Sequence, residues 1–224
     1  MREIALHILD LIENSIRAQA SIIAVSVEAM PEQDLLRIVI EDNGTGLKVS
    51  PEAALDPFYT TKSGKRTGLG LSLFRAAAES TGGRLTLGKS SLGGATGLDS
   101  PGGQPGSKVT ARAPRSRSGS EDAGRGPGLK VTVEMGLTHV DRNPLGDLAG
   151  TLSSVVCTNP EIDFRFFLRT ARRGAAGVGG QRECRINVFD LAGELGQDRC
   201  GGLAVAQKVM EKIRTELEAC TALT

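Results

Sequence analysis

A run of fifteen residues near the middle of the chain, 114–128, offers almost no side chain that a hydrophobic core could bury. It consists of glycine, serine, proline, arginine and acidic residues with a single alanine. Such a composition favours a flexible connection over packed structure. We therefore expect two units, 1–114 and 129–224, joined by a linker over residues 115–128.

Charge, hydropathy and cysteine usage exclude several classes of protein. The 224 residues carry a net charge of +1, whereas a nucleic-acid-binding protein would show a clear basic excess. No apolar run approaches the roughly 18 residues that a membrane span needs, and the first residues do not form a signal peptide. The four cysteines form no Cys-x-x-Cys pair and are expected to be reduced thiols rather than zinc ligands. We expect a cytoplasmic protein that binds neither nucleic acid nor membrane.

The opening segment is predicted to be an amphipathic helix. Its apolar face is formed by residues at helical spacing, Ile4, Ile8, Leu11 and Ile12. Asp10, Asn14 and Arg17 fall on one polar stripe of the same helix. Most such stripes are solvated surface. In a binding site, however, Asn14 can hold Mg²⁺, Asp10 can polarise a water molecule, and Arg17 can bind phosphate oxygens.

Two strands are predicted next, and the second of them ends in a glycine-rich turn. Apolar residues alternate up to Ile40, and Asp42-Asn-Gly-Thr-Gly46 follows directly. By itself, this stretch signals only a turn. An aspartate at the end of a buried strand can also accept a hydrogen bond from the exocyclic amine of a base. Gly44 and Gly46 would then let the backbone approach a flat ring closely.

Two further stretches carry polar chemistry ahead of a helix predicted from about Gly70 to Ser80. Residues 56–62 combine an aromatic pair, two hydroxyls and a lysine. Residues 64–71 place glycines just before the helix, where unpaired backbone N–H groups favour phosphate. A glycine-rich loop before a helix is common, so neither stretch is specific by itself.

The order and spacing of these four stretches resemble the ATP-binding domain shared by DNA gyrase, the large heat-shock chaperone, histidine kinases and the mismatch-repair ATPase, which form the GHKL superfamily. The resemblance covers residues 1 to about 114 and is closest to histidine kinases and anti-sigma kinases. It implies an α+β chain with an N-terminal two-layer α/β sandwich of the Bergerat type. A small α+β module of unknown role would follow.

The resemblance also implies a Mg·ATP site. Asn14 would hold Mg²⁺, Arg17 would touch phosphate, and Asp42 with Gly44 and Gly46 would bind adenine. Two later boxes of the family are matched by Phe58, Thr61 and Lys62, and by Gly68, Leu69, Gly70 and Leu71. Ser107 stands where the family usually carries a threonine before its last strand.

The reaction is less constrained than the ligand. We favour phosphoryl transfer to a partner protein in a signalling system, with Mg²⁺, Lys62 and backbone amides neutralising charge. Asp10 stands where many family members carry the longer glutamate, which weakens the case for efficient activation of water or a hydroxyl. A slow ATPase in which Asp10 positions water, and a non-catalytic nucleotide switch acting on a partner, both stay open. The oligomeric state is also open, with a homodimer as one arrangement.

The C-terminal unit contains one candidate phosphoacceptor. His139-Val-Asp-Arg-Asn-Pro-Leu145 is similar to the His-x-x-Arg-x-Pro-Leu box of histidine kinases, except that Val140 replaces the acidic residue that normally follows the histidine. The alternative is structural, with Asn143 capping a helix that begins at Pro144. The remaining pattern predicts strands near 129–135, 162–169 and 185–189 and a helix over 203–219.

Overall fold

The computed structural model describes residues 3–56, 69–92, 126–171, 181–197 and 202–219. In these ranges the helices and strands follow one another as α1 (Ile4–Arg17), β1 (Ile22–Met30), β2 (Leu35–Asp42), α2 (Pro51–Ala54), α3 (Leu69–Glu79), β3 (Arg84–Gly88), β4 (Leu129–Gly136), α4 (Leu148–Thr158), β5 (Asp163–Ala171), β6 (Gln181–Asn187), α5 (Val188–Glu194) and α6 (Leu203–Glu218). One turn of 3-10 helix, Pro31–Gln33, joins β1 to β2. None of the helices in these ranges is long and apolar enough to cross a membrane.

The six described strands form one mixed sheet in the order β3-β4-β2-β1-β5-β6. β1 and β5 run parallel, and the other neighbouring pairs are antiparallel. Alternate residues of β1, β2 and β4 are buried, as expected for a sheet that is covered on one face. The α+β class expected from the sequence is confirmed.

The helices cover the buried face of this sheet and form a two-layer sandwich with it. α1 packs against both α3 and α4, and α4 packs against α6. The apolar face predicted for α1 is buried, and it joins strand residues such as Ile38 and Val133 in one core. The same core continues into the C-terminal segment through Phe164 and Val209.

Strands from both sides of the predicted linker share this sheet. β4, which the sequence places at the start of the second unit, pairs with β2 on one side and with β3 on the other. β5 then extends the sheet from β1. The sequence pattern also predicts a hairpin in which 84–87, at the position of β3, pairs with 108–112, and this second segment lies outside the described residues. The segment 129–224 therefore adds to the first unit's sheet, and a separate role for it stays a prediction.

The segment before α4 differs from the predicted helix start at Pro144. α4 begins at Leu148, because the side chain of Asp147 accepts a hydrogen bond from the N–H of Gly150 at 2.9 Å and caps the helix. The carbonyls of Pro144 and Leu145 instead accept the N–H groups of Ile4 and Ala5, each at 2.9 Å. These N–H groups belong to the first turn of α1, which has no partner for them within the helix. The predicted cap at Asn143 is wrong, and the segment holds the start of α1.

Candidate functional site

A pocket of about 480 Å³ lies where α1, the end of β2, the start of α3 and the start of β4 meet. Seven of the residues predicted for the nucleotide site line it, namely Asp10, Asn14, Arg17, Asp42, Gly46, Gly70 and Leu71. Gly44 does not line the pocket but is hydrogen-bonded to Asp42, which does, and Leu69 is the first residue of α3. The predicted residues Phe58, Thr61, Lys62, Gly68 and Ser107 lie outside the described residues. The fold thus brings together residues separated by about sixty positions in the sequence.

Asp42 occupies the last position of β2, where it is buried yet still reaches the pocket. Its Oδ2 accepts a hydrogen bond from the Ser15 hydroxyl at 2.7 Å, and its Oδ1 accepts one from the N–H of Gly44 at 2.9 Å. Oδ1 also accepts a longer hydrogen bond from the N–H of Leu129 at 3.4 Å, whereas Oδ2 keeps a lone pair for a further donor. Asp42 is therefore an oriented acceptor at one end of the pocket.

The sequence reasoning missed Ser15, although it lies directly after Asn14. Ser15 is buried on the inner side of α1, and its hydroxyl lies between Asp42 and the carbonyl of Leu11, 3.3 Å away. A serine in the middle of a helix is unremarkable by composition, but a buried one needs a partner. Its position directly after Asn14, which lies on the polar stripe of α1, was the one feature of the sequence that could have indicated its role.

The loop after Asp42 is fixed by contacts on both sides. The side chain of Asn43 accepts hydrogen bonds from the N–H groups of Ser21 and Ile22, each at 2.9 Å. A Cβ on Gly44 would lie 2.7 Å from the carbonyl oxygen of Ala18, closer than such contacts allow. Gly46 has φ +71, a conformation that favours glycine. The glycine at position 44 is therefore explained by packing against the end of α1.

The polar stripe of α1 faces the pocket, and the charge of its Arg17 is already paired. The Arg17 guanidinium donates a hydrogen bond to the side-chain oxygen of Asn14 and lies 3.5 Å from a carboxylate oxygen of Glu13. Arg17 is almost half exposed, so its side chain can turn toward a ligand at little cost. The Asn14 oxygen is the atom predicted to hold Mg²⁺.

Asp10 lies one turn before Asn14 and contacts the start of α3. A side chain at position 70 would overlap the Asp10 carboxylate, so the carboxylate packs directly on the backbone of Gly70. Backbone N–H groups at a helix start carry partial positive charge and stabilise an anion there. Asp10 thus occupies the place where the sequence predicts that phosphates bind.

One wall of the pocket is formed by apolar residues that were not predicted from the sequence as site residues. Leu129 and Val131, at the start of β4, line the pocket together with Ile40 of the neighbouring strand. The N–H of Gly128 donates a hydrogen bond to the carbonyl of Gly44 at 3.1 Å, which joins β4 to the glycine loop. These apolar side chains provide an apolar surface in the same pocket as the Asp42 carboxylate.

Comparison with known proteins identifies the family. Residues 2–117, just over half of the chain, match the family described as "Histidine kinase-, DNA gyrase B-, and HSP90-like ATPase". The chain belongs to this family. The GHKL resemblance drawn from the four sequence stretches is therefore confirmed, and membership supports ATP binding.

Individual proteins are similar to this GHKL protein over different shares of its length. A stretch of 56 residues is 45% identical to the sensor kinase CckA of Brucella abortus (strain 2308), covering 24% of this chain and 6% of that protein. The solved N-terminal domain of a DNA repair protein has 14% identity and a TM-score of 0.44, covering 81% of this chain and 52% of that one. The Aquifex aeolicus MutL ATPase domain complexed with ADP has 16% identity and a TM-score of 0.37, with coverages of 75% and 60%. The chain thus spans a small part of the sensor kinase.

The predicted phosphoacceptor of the GHKL protein, His139, lies at the other end of the sheet from the pocket. β4 begins at the pocket with Leu129 and ends at Gly136, about 23 Å away at the usual rise of a strand. Beyond that end, the N–H of Asp141 donates a hydrogen bond to Nδ1 of His139 at 3.1 Å. In this conformation His139 cannot meet a phosphate in its own pocket.

Proposed function

We propose that the pocket binds Mg·ATP, with adenine at Asp42 and the phosphates between Asn14 and the start of α3. The observation that carries the proposal is the oriented, buried Asp42 carboxylate at the end of a pocket that also contains the polar stripe of α1. The exocyclic amine of adenine would donate to this carboxylate, and the apolar side chains of Ile40, Leu129 and Val131 would contact the ring. Membership of an ATPase family supports the same ligand.

The residues present fit a magnesium ion bound together with phosphates. Mg²⁺ prefers hard oxygen ligands and keeps several waters, so it needs only one or two oxygens from the protein. The Asn14 side-chain oxygen and the Asp10 carboxylate are such donors, and both line the pocket. When bound, the ion would neutralise charge on the phosphates. Arg17 would have to release the Asn14 oxygen, and its guanidinium could then bind phosphate oxygens.

We further propose that the protein transfers the γ-phosphoryl group of ATP to a side chain of a partner protein. In this step the bond between the γ-phosphorus and the β–γ bridging oxygen breaks, a bond to the acceptor atom forms, and ADP leaves while the acceptor loses a proton. The family includes histidine kinases, and the stretch of 45% identity comes from a sensor kinase. Lys62 and the backbone N–H groups of residues 68–71 would stabilise the negative charge on the transferred phosphoryl group.

The charge of Asp10 makes nucleotide binding depend on a cation. Its carboxylate packs against Gly70, so it would repel a phosphate at the start of α3 unless a cation lay between them. We therefore expect nucleotide affinity to depend strongly on Mg²⁺. Replacement of Asp10 by asparagine should raise affinity for ATP without Mg²⁺ and reduce that dependence.

Calorimetry with a non-hydrolysable ATP analogue and Mg²⁺ tests the binding site. Asp42→Asn should weaken binding roughly 10- to 150-fold, because a hydrogen bond to a charged group contributes about 1.5–3 kcal/mol. Asn14→Ala should weaken binding in the presence of Mg²⁺. Asp141→Asn makes the same chemical change as Asp42→Asn at the far end of the sheet and should leave affinity unchanged. Parent-like affinity in folded Asp42→Asn and Asn14→Ala variants would refute the residue assignment.

Incubation with γ-labelled ATP and candidate acceptors separates the possible reactions. Transfer predicts label on a protein, the slow ATPase predicts free phosphate, and the nucleotide switch predicts neither. If the chain labels itself, acid-labile label should disappear in His139→Gln while binding of the ATP analogue persists. Because His139 is remote from its own pocket, that labelling should rise with protein concentration. Label that persists in His139→Gln would exclude this acceptor.

A further inference from the structure

The outer face of the sheet is the largest surface that the proposed function does not use. Residues on this face alternate along each strand with the core residues, and the described helices pack on the opposite face. In β1, β2 and β4 most outward residues are half-buried and most inward ones are buried. The outward residue Glu41 is an exception, because Ser90 and Ser91 lie on it and donate hydrogen bonds to its carboxylate. Among the described elements, no helix therefore covers this face, and another molecule could pack against it.

One row of side chains crosses this face with a strictly alternating charge. The strand register places Arg84, Glu134, Arg37, Glu28, Arg169 and Glu183 beside one another, in that order, from β3 to β6. Four of the five neighbouring pairs form ion pairs within the chain, at 2.6 Å for Arg84–Glu134, 3.0 Å for Arg37–Glu134, 3.4 Å for Arg169–Glu28 and 2.7 Å for Arg169–Glu183. We call this row the charge ladder.

The charge ladder is complementary to a reversed copy of itself. A two-fold axis parallel to the strands, between β1 and β2, would turn the row end for end and bring two sheets face to face. Because the row has six members with alternating sign, every arginine then faces a glutamate. The innermost contact joins Arg37 of one chain to Glu28 of the other, and the next joins Glu134 to Arg169. Such a self-matching patch is what a symmetric dimer requires.

The row beside the charge ladder carries two apolar side chains among polar ones. The neighbouring row includes Val39 and Phe167, and the guanidinium groups of Arg169 and Arg185 lie 5.8 and 5.3 Å from the centre of the Phe167 ring. At the usual strand spacing and rise, six strands of about eight residues present a face of about 29 by 26 Å. That area is close to the roughly 800 Å² per partner of a stable interface.

We propose that this face is an interface between two copies of the chain, aligned by the charge ladder. The three arginines and three glutamates of the charge ladder balance each other, so the row has no net charge to attract a nucleic acid or an anionic membrane. A second copy satisfies the alternation throughout the row. The match should be closest at Arg37 and Glu28, because stacked sheets cross at about 30° and outer contacts drift apart.

Sedimentation equilibrium with two charge-reversed full-length chains tests the interface. In Arg37→Glu alone, two glutamates face each other twice across the dimer, and in Glu28→Arg alone, two arginines do. Each variant alone should dimerise at least about tenfold more weakly than the parent. Mixed together, the two variants restore an opposite pair at both positions, so the mixture should form a heterodimer about as tightly as the parent. Lys208→Glu on α6 is the control reversal and should dimerise like the parent.

Circular dichroism would show whether each reversed chain is folded. If either is not, Val39→Lys at the centre of the face offers a second variant that leaves the charge ladder intact and should also prevent dimerisation. A parent protein that stays monomeric at about 100 μM overturns the proposal, since stable interfaces are tighter than that. The proposal is also overturned if both charge-reversed variants dimerise as tightly as the parent. It is overturned as well if the mixture of the two folded variants forms no heterodimer.

Discussion

The imidazole of His7 lies inside the contact between α1 and α3. Its side chain is buried, its ring stacks on that of Phe74 with centres 4.7 Å apart, and neither ring nitrogen has a hydrogen-bond partner among the described residues. Burial lowers the pKa of His7 below its ordinary value, although Asp10 one turn away opposes the shift. We predict that His7→Leu stabilises the protein, and that the gain grows as the pH falls below 6.5.

The expected size follows from the groups that change. A neutral imidazole leaves one donor and one acceptor unpaired, and an unpaired buried polar group costs about 1–3 kcal/mol. Leucine also gives up the ring stack, worth about 0.5–1.5 kcal/mol, so the net gain at pH 7.5 should be about 1 kcal/mol. Below pH 6.5 the unfolded chain binds a proton that the folded chain resists, so the parent loses stability as pH falls. Between pH 7.5 and 5.5 the difference in free energy of unfolding between His7→Leu and the parent should therefore grow by up to about 1.4 kcal/mol.

Urea unfolding followed by circular dichroism at both pH values measures this difference in free energy of unfolding. Circular dichroism is the suitable probe because the chain has no tryptophan and a single tyrosine. Ile8→Val, a core substitution at the adjacent residue, should lower the free energy of unfolding by about 0.5–1.5 kcal/mol. Because it changes no titratable group, the loss should be equal at the two pH values. A difference between His7→Leu and parent that is equal at pH 7.5 and 5.5 would refute the reasoning.

Three further substitutions test local contacts by the same unfolding measurement. Gly44→Ala should cost about 1–3 kcal/mol because its Cβ meets the carbonyl oxygen of Ala18, whereas Gly193→Ala in α5, with open space around it, should cost nothing. Burial pushes the pKa of Glu41 up, but hydrogen bonds from Ser91 and the charge of Lys130 outweigh it, and the pKa lies below its ordinary value. Glu41→Gln should therefore cost about 1–3 kcal/mol at pH 7, and the difference should vanish as the pH falls below 4.5 through the folded pKa. Asp147→Ala should cost about 1 kcal/mol through the lost cap of α4, and a cost near zero would argue against that cap.

Local pattern predicted the elements that build the polar half of the site. The helical period of Ile4, Ile8 and Leu11 fixes which side of α1 is buried, and the polar stripe follows on the side that meets the pocket. Period-two alternation ending at Asp42 likewise places a carboxylate at the end of a buried strand. Both features depend on residues near one another in sequence, so the sequence alone was sufficient for them.

The apolar wall of the pocket could not be predicted in the same way. The pattern of β4 was recognisable, but its partners are β2 and β3, and more than thirty residues separate it from β3 in the sequence. The nearer segment 108–112 offered a plausible partner, and no local signal chose between the two. Pro144 shows the same difficulty, because it looks like a helix start until the first turn of α1 is seen to need its carbonyl.

The site depends on chain beyond the part that matches the GHKL family. The match ends at residue 117, whereas β4 supplies a wall of the pocket and separates β2 from β3. A chain that ends at residue 128 would lose Val131, Val133 and Met135 from the core, each worth about 1.5–3 kcal/mol, which approaches the whole stability of a typical domain. It would also leave β2 with an unpaired edge and the first turn of α1 without the carbonyls of Pro144 and Leu145.

We predict that this shortened chain shows no cooperative unfolding and binds no ATP analogue. Cooperative unfolding with parent-like affinity would show instead that residues 1–128 form an independent unit, as the glycine-rich linker first suggests.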